Sequence, residues 1–185
     1  MRLSLLCLSL LLSGFGVAFA QTGASNVYLF EMNWEEGRPQ LINPKYLTSF
    51  NAYGYNNQPS FIDENHLFIS VRSIRDTSQT DIYTLDLEKG AKMRITATAE
   101  SEYSPMLMPN KYFFSAVRVE ADEDRTQRLW QFPLDRMCNG KPIFPTIRNI
   151  GYYCWLNTQN VLLYIVGEPN LLLMASTRDG SYVKI

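Results

Sequence analysis

A single histidine, His66, limits the chemistry open to this chain of 185 residues. Zinc sites draw on several His or Cys ligands, and a Ser-His-Asp or Cys-His device needs a placed imidazole. His66 closes an Asp-Glu-Asn-His stretch, where an exposed turn residue is the plain reading. No Gly-x-Ser-x-Gly elbow, His-Glu-x-x-His pair, phosphate-cradling glycine loop or Cys-x-x-Cys occurs. The one clustered charge is Glu120-Ala121-Asp122-Glu123-Asp124. Its carboxylate oxygens suit Ca²⁺. No glycine-organised loop accompanies them, so the run reads as a solvated hairpin, with calcium the open alternative. No catalytic group, metal or cofactor is expected.

The cysteines need a compartment before they can be read. Residues 1–20, MRLSLLCLSLLLSGFGVAFA, combine one basic residue, an apolar run and a small-x-small site at Ala18-Phe19-Ala20. That is a secretory leader cleaved after Ala20, too short for a membrane anchor. Cys7 lies too early in it to accept a lipid. The expected product is periplasmic or secreted. It keeps Cys138 and Cys154, an even number where disulfides persist. The leader holds one of the 17 basic and none of the 18 acidic residues, which leaves the mature chain at −2. Neither a nucleic-acid footprint nor membrane insertion follows from such a balance.

The elements that must position any site are short strands. Runs rich in Tyr, Phe, Ile, Val and Leu are bounded by Gly, Pro, Asn and Asp, and helical periodicity is absent after the leader. The pattern repeats. Strand cores at Val27, Ile82, Leu129 and Leu172 are 55, 47 and 43 residues apart, and a second set of anchors at Pro59, Pro105 and Tyr153 is spaced by 46 and 48. Each unit reads as four short strands, and in the clearest copy, between Ser60 and Thr96, they are separated by turns at Asp63-Glu64-Asn65, Ser73 to Thr80 and Glu88-Lys89-Gly90. Four antiparallel strands repeating every 40 to 50 residues mark a β-propeller blade. The expected fold is all-β, with a half blade at residues 26–58 and units at 59–104, 105–150 and 151–185.

This geometry separates the cysteines. Cys138 falls in an outer hairpin and Cys154 in an innermost strand, several strand spacings of about 4.8 Å apart. A disulfide needs Cα atoms within about 7 Å. No bond between them is expected, and both read as buried or half-buried free thiols.

The Pro-Ser-Phe and Ser-Pro openings, the Asp-Ile-Tyr third strand and the closing Arg-Ile-Thr resemble the WD40-like (PD40-type) repeat of TolB-like propellers. SEYSPMLMPN (residues 101–110), with TQRLWQFPLD and GEPN, is similar to a secreted Bacteroidetes-type TolB-like group. The resemblance runs from Asn26 onward and implies six blades and a role in binding. Two features depart from it. The third unit has Tyr152-Tyr153-Cys154-Trp155 where the others have proline, and only about three and a half units are present. Relative to that family the chain looks truncated. A fragment is the favoured expectation, and two copies completing one ring is the alternative. An open stack would also expose a blade face suited to self-association.

Segments leading into innermost strands crowd a propeller's mouth. Here they are Tyr55-Asn56-Asn57-Gln58, Glu102-Tyr103-Ser104 and Gly151-Tyr152, with Tyr55, Tyr103 and Tyr152 spaced by 48 and 49. Arg72 and Arg118 recur 46 apart at the ends of second strands. Tyr55, Asn57, Gln58, Arg72, Glu102, Tyr103, Arg118 and Tyr152 are therefore the candidate binding residues, for a peptide or glycan. Tyrosines packing between blades is the alternative. Trp130 and Trp155 read as core, and Trp34 as exposed. The function expected is an exported, non-catalytic propeller that binds a protein or peptide. The alternatives are the accessory propeller of a peptidase-type enzyme and a carbohydrate-active propeller. The latter needs paired carboxylates, and Glu102 is the one acid in these segments.

Overall fold

The computed structural model describes residues 23–185. The leader expected at residues 1–20 lies outside that range. The chain begins with a hairpin of β1 (Tyr28–Glu35) and β2 (Arg38–Tyr46). Its turn, Glu36-Gly37, has φ of 49° and 76°. A two-residue turn with both centres left-handed matches the twist of the strands it joins, and glycine is the residue that adopts this conformation without strain.

Three four-stranded antiparallel sheets follow. Sheet I is β3 (Tyr55–Phe61), β4 (His66–Arg72), β5 (Asp81–Asp86) and β6 (Lys92–Arg94). Sheet II is β7 (Ser101–Leu107), β8 (Phe113–Val119), β9 (Gln127–Pro133) and β10 (Lys141–Pro142). Sheet III is β11 (Ile150–Trp155), β12 (Asn160–Ile165), β13 (Leu171–Ser176) and β14 (Tyr182–Lys184). Strand order follows chain order in every sheet, so each is a meander with one inner and one outer edge. The all-β class and about three and a half blades match the expectation.

Burial along the second strands shows how the sheets stack. In β4 and β8 the five central residues are all buried, because both faces of these strands are covered. In β12 burial alternates, with Val161 and Leu163 buried and Tyr164 exposed, because only one face is covered. Leu67, Ile69, Val71 and Leu85 form one cluster on the hairpin side of sheet I. Phe68 and Ile82 pack on Phe114, Ala116 and Phe132 between sheets I and II, with the Phe68–Phe114 and Phe114–Phe132 rings 5.0 Å apart. Val117 and Leu129 pack on Val161, Leu163, Leu173 and Ala175 between sheets II and III, closed by Phe144 and Ile147 from the connecting loop and by Ile150 at the start of β11.

The inner strands correct the expected unit starts. Prolines 59 and 105 suggested that strands begin there, yet β3 and β7 start at Tyr55 and Ser101. Each inner strand carries a bulge instead, between Asn57 and Ser60, Tyr103 and Met106, and Ile150 and Tyr152. The bulge places Gln58 (φ 55°) and Ser104 (φ 53°) in the left-handed region just before proline. Proline lacks a ladder donor, so a free edge with a bulge is where a strand tolerates it.

Candidate functional site

The bulges organise the inner-strand surface. Gln58 Oε1 accepts hydrogen bonds from Ser70 Oγ (2.9 Å) and from the Ser104 backbone N–H (2.8 Å), tying sheet I to the equivalent residue of sheet II. The Tyr153 hydroxyl of sheet III lies 2.8 Å from the carbonyls of both Ser104 and Ser115, and accepts from Ser115 Oγ at 2.9 Å. Trp155 Nε1–H donates to that same Ser115 Oγ (2.9 Å). Burial pushes the Tyr153 phenol well above its ordinary range. A hydrogen-bonded line Gln58–Ser104–Tyr153 thus links the three inner strands. Sequence reasoning did not single out Ser104 or Tyr153 for this role. The signal available was the repeated residue-proline pair at Gln58-Pro59 and Ser104-Pro105.

Around this line the candidate tyrosines are set differently from one another. Tyr55 lies three residues before its bulge residue, Tyr103 one before and Tyr152 one after. Spacings of 48 and 49 suggested a ring of equivalents. The bulge-aligned step from Gln58 to Ser104 is 46, so the three occupy different positions. Tyr55 is nearly buried at 9% exposure, its ring edge-on to Tyr103 at 6.4 Å. The Arg72 guanidinium carbon sits 5.9 Å from the Tyr55 ring centre. Burial, and then the neighbouring Tyr103, hold the Tyr55 phenol above its usual value. Tyr152 is 62% exposed beside Tyr164, with centroids 6.2 Å apart. Tyr103 and Tyr152 share an open cleft of about 360 Å³ with Gln58, Val117, Gln127 and Val166. A second recess of about 380 Å³ holds Tyr53, Tyr55, Arg72 and Ile74. Asn57 is exposed, and its Oδ1 accepts from the Gln58 N–H at 2.7 Å.

Glu102 and Arg118 are placed elsewhere than at the mouth. They are direct cross-strand partners in β7 and β8, and that face of sheet II packs on sheet I. Glu102 is 0% and Arg118 3% exposed. Glu102 Oε1 accepts from Thr98 Oγ1 (2.6 Å) and Arg118 Nε (3.0 Å), while Arg118 Nη1 reaches Glu100 at 3.4 Å. The guanidinium lies over Trp130 (4.1 Å) and Phe132 (4.9 Å). Burial raises the Glu102 pKa, with Thr98 and Arg118 opposing. The pair sits beneath the surface and presents no charge to a ligand.

The other chemistry-bearing groups have local partners. Glu120 accepts from Trp130 Nε1 (2.9 Å) and pairs with Arg128, Asp122 accepts from the Thr126 N–H (2.7 Å), and Asp124 reaches Arg148 at 3.8 Å. The acidic run therefore braces its own hairpin and its neighbours. His66 opens β4, with Nδ1 2.9 Å from Asp63 and Nε2 3.7 Å from Asp86. Among the described residues no three His, Cys, Asp or Glu side chains converge as a metal site, and no helix is long and apolar enough to cross a membrane. Cys138 and Cys154 are unbonded, and both are exposed where burial was expected. Cys154 lies on the uncovered face of sheet III, opposite Leu162, and Cys138 lies between the short β10 and β9. Trp130 and Trp155 are half-buried against the core clusters, and Trp34 is 66% exposed.

No family model matches the sequence, and no curated protein does. Solved structures do. TolB from Acinetobacter baumannii is 14% identical, with 85% of this chain and 40% of that one covered at a TM-score of 0.61. The fold is that of the TolB-type β-propeller. The chain also superposes on a puromycin-hydrolysing peptidase from Mycobacterium tuberculosis (15% identity, 91% and 29% coverage, TM-score 0.56). A third match is an oligogalacturonate lyase solved with manganese (11%, 88% and 48%, TM-score 0.56). At these identities the likeness is one of fold. The chain spans less than two thirds of each matched protein's own length.

Proposed function

We propose that this chain is an exported, non-catalytic TolB-type propeller module that binds a protein or peptide partner at its inner-strand mouth. The observation that carries the reading is the rigid setting of exposed, uncharged groups. Asn57 and Tyr152 stand exposed on inner strands, flanked by Tyr103 and by a Gln58 held through two hydrogen bonds. Aromatic and amide groups on a fixed frame give contact area and directed hydrogen bonds at low ordering cost. A peptide suits this surface, because β3, β7 and β11 are edge strands of their sheets. The catalytic alternatives have less support, since the one acid of these segments, Glu102, is buried against Arg118. Export rests on the leader sequence and locates the partner in the periplasm or outside the cell.

Site-specific photocrosslinking tests the reading. A crosslinking residue at Asn57 or Tyr152 is expected to trap a discrete protein adduct in cells, and one at the outer-turn residue Glu88 is not. Equal trapping at all three positions, or none at the mouth, would refute a binding mouth.

A further inference from the structure

The loop between β9 and β10 holds a reactive pair. Of the chain's asparagines only Asn139 precedes a glycine. Asn139 is exposed. Among the described residues neither its side-chain amide nor the Gly140 N–H has a hydrogen-bond partner. Other exposed asparagines are held by their own turns. Asn110 Oδ1 accepts from the Tyr112 and Phe113 N–H groups, Asn157 Oδ1 from those of Gln159 and Asn160, and Asn170 Oδ1 from that of Gly167. The glycine at 140 is required by the fold. It has φ of 79°, and a Cβ there would lie 2.5 Å from the Gln131 carbonyl oxygen and 2.8 Å from Phe132 Cδ1.

Asparagine is a thermolabile residue, and with no side chain at position 140 the next backbone nitrogen is open to its carboxamide. Attack of the Gly140 nitrogen on Asn139 Cγ forms a C–N bond. The side-chain nitrogen leaves as ammonia, taking the Gly140 amide proton, and a cyclic imide remains. Water then adds to one imide carbonyl and breaks its bond to the Gly140 nitrogen, which regains a proton. Arg118 biases which carbonyl opens, because its Nη2 donates to the Asn139 backbone carbonyl at 3.4 Å. A guanidinium on that oxygen stabilises the negative charge that develops as water adds there. Opening at this carbonyl leaves the chain running through Cγ and frees the former backbone carbonyl as a carboxylate, which is an isoaspartate.

We propose that Asn139 is a self-modification site, converting with loss of ammonia to an isoaspartate whose new carboxylate pairs with Arg118. The change puts a negative charge and an extra backbone carbon into the turn that leads to β10, a strand of two residues on the opposite edge of sheet II from β7. The test holds the purified protein for days in warm neutral buffer, digests it with trypsin and reads the peptides by mass spectrometry. Isoaspartate in each peptide is scored by enzymatic methylation. The peptide holding Asn139 is expected to show the mass gain of an amide-to-carboxylate exchange, while those holding Asn110 and Asn157 keep their amides. Asn139→Gln is expected to lose both signals from this peptide. The isoaspartate share is expected to exceed that of the same chain modified in urea, where Arg118 no longer faces the carbonyl. An Asn139 that stays intact while a synthetic peptide of residues 136–142 converts would overturn the proposal. Equal conversion at Asn110 or Asn157, signals that persist in Asn139→Gln, or an isoaspartate share no higher than in urea would each do the same.

Discussion

Arg118→Met tests the claim that the Glu102–Arg118 pair is interior structure. Arg118 is 3% exposed, and its Nε lies 3.0 Å from a Glu102 carboxylate that is itself 0% exposed. Removing one partner leaves a buried charge with the Thr98 and Thr96 hydroxyls beside it, which costs about 3–5 kcal/mol at neutral pH. For a domain of this size each kcal/mol moves Tm by about 2–4 °C, so a fall of roughly 6–20 °C is expected. The pH dependence follows from the direction of the Glu102 shift, which burial raises. Stability from a carboxyl with a raised folded pKa is fully present below its unfolded value and is lost as pH rises through the folded value. Without Arg118 the folded value climbs further. The cost of the variant is therefore greatest at neutral pH and shrinks toward pH ~4, where the unfolded carboxyl also protonates. Adding Glu102→Gln should recover most of the loss at neutral pH, since the amide fills the same space uncharged. Urea melts of the two single variants, the double variant and the wild type at several pH values provide the measurement. A cost below about 1 kcal/mol, the range of surface pairs, would refute the placement. So would a cost that does not vary with pH, or no rescue by Glu102→Gln.

Two further outcomes are expected. Phe114→Ala removes the ring stacked between Phe68 and Phe132 at 5.0 Å from each, and should cost about 3–5 kcal/mol in urea melts, whereas the exposed Phe61→Ala should stay within about 0.5 kcal/mol. Asp86 is held below the usual carboxylate range, chiefly by the Lys89 N–H at 2.8 Å, so it adds stability above its unfolded pKa that is lost as pH falls through its folded value. Asp86→Asn should therefore be less stable than wild type at neutral pH and converge with it on acidification below pH ~4. A gap that persists in acid would show that the side chain acts through packing alone.

The sequence made the architecture legible because hairpins and alternating strands are local. Gly37, Gly90 and Gly180, all at positive φ, sit in the β1–β2, β5–β6 and β13–β14 turns, and the second and third strands of sheet I begin and end within a residue of their expected limits. Which face a side chain takes was less legible. Arg118 stands 46 residues after Arg72, yet strand register sets Tyr55 opposite Arg72 and Glu102 opposite Arg118, one residue out of step. A one-residue offset moves a side chain from one face of a strand to the other. The bulges have the same effect on the tyrosines, since an extra residue in an inner strand changes what repeat spacing means. Prolines 59 and 105 marked those bulges, but a proline in a strand pattern also reads as a boundary, and that reading misplaced the strand starts. The cysteines read as buried or half-buried from the strand pattern, yet both are exposed, Cys154 because strand register sets it opposite Leu162 on the face of sheet III turned away from sheet II, and Cys138 because it lies in the loop between β9 and β10.

The core of this chain is divided into separate clusters, and among the described sheets sheet II is the one packed against two four-stranded neighbours, through Phe114, Ala116 and Phe132 on one side and Val117 and Leu129 on the other. Cooperativity must therefore pass from neighbour to neighbour, as current does through a series circuit. A lesion in sheet I or sheet III weakens one end and leaves the remaining pair joined. A lesion in sheet II breaks the circuit and isolates both ends at once. Tolerance to substitution should consequently follow position in the array more closely than burial, with the middle sheet the least forgiving part of the molecule.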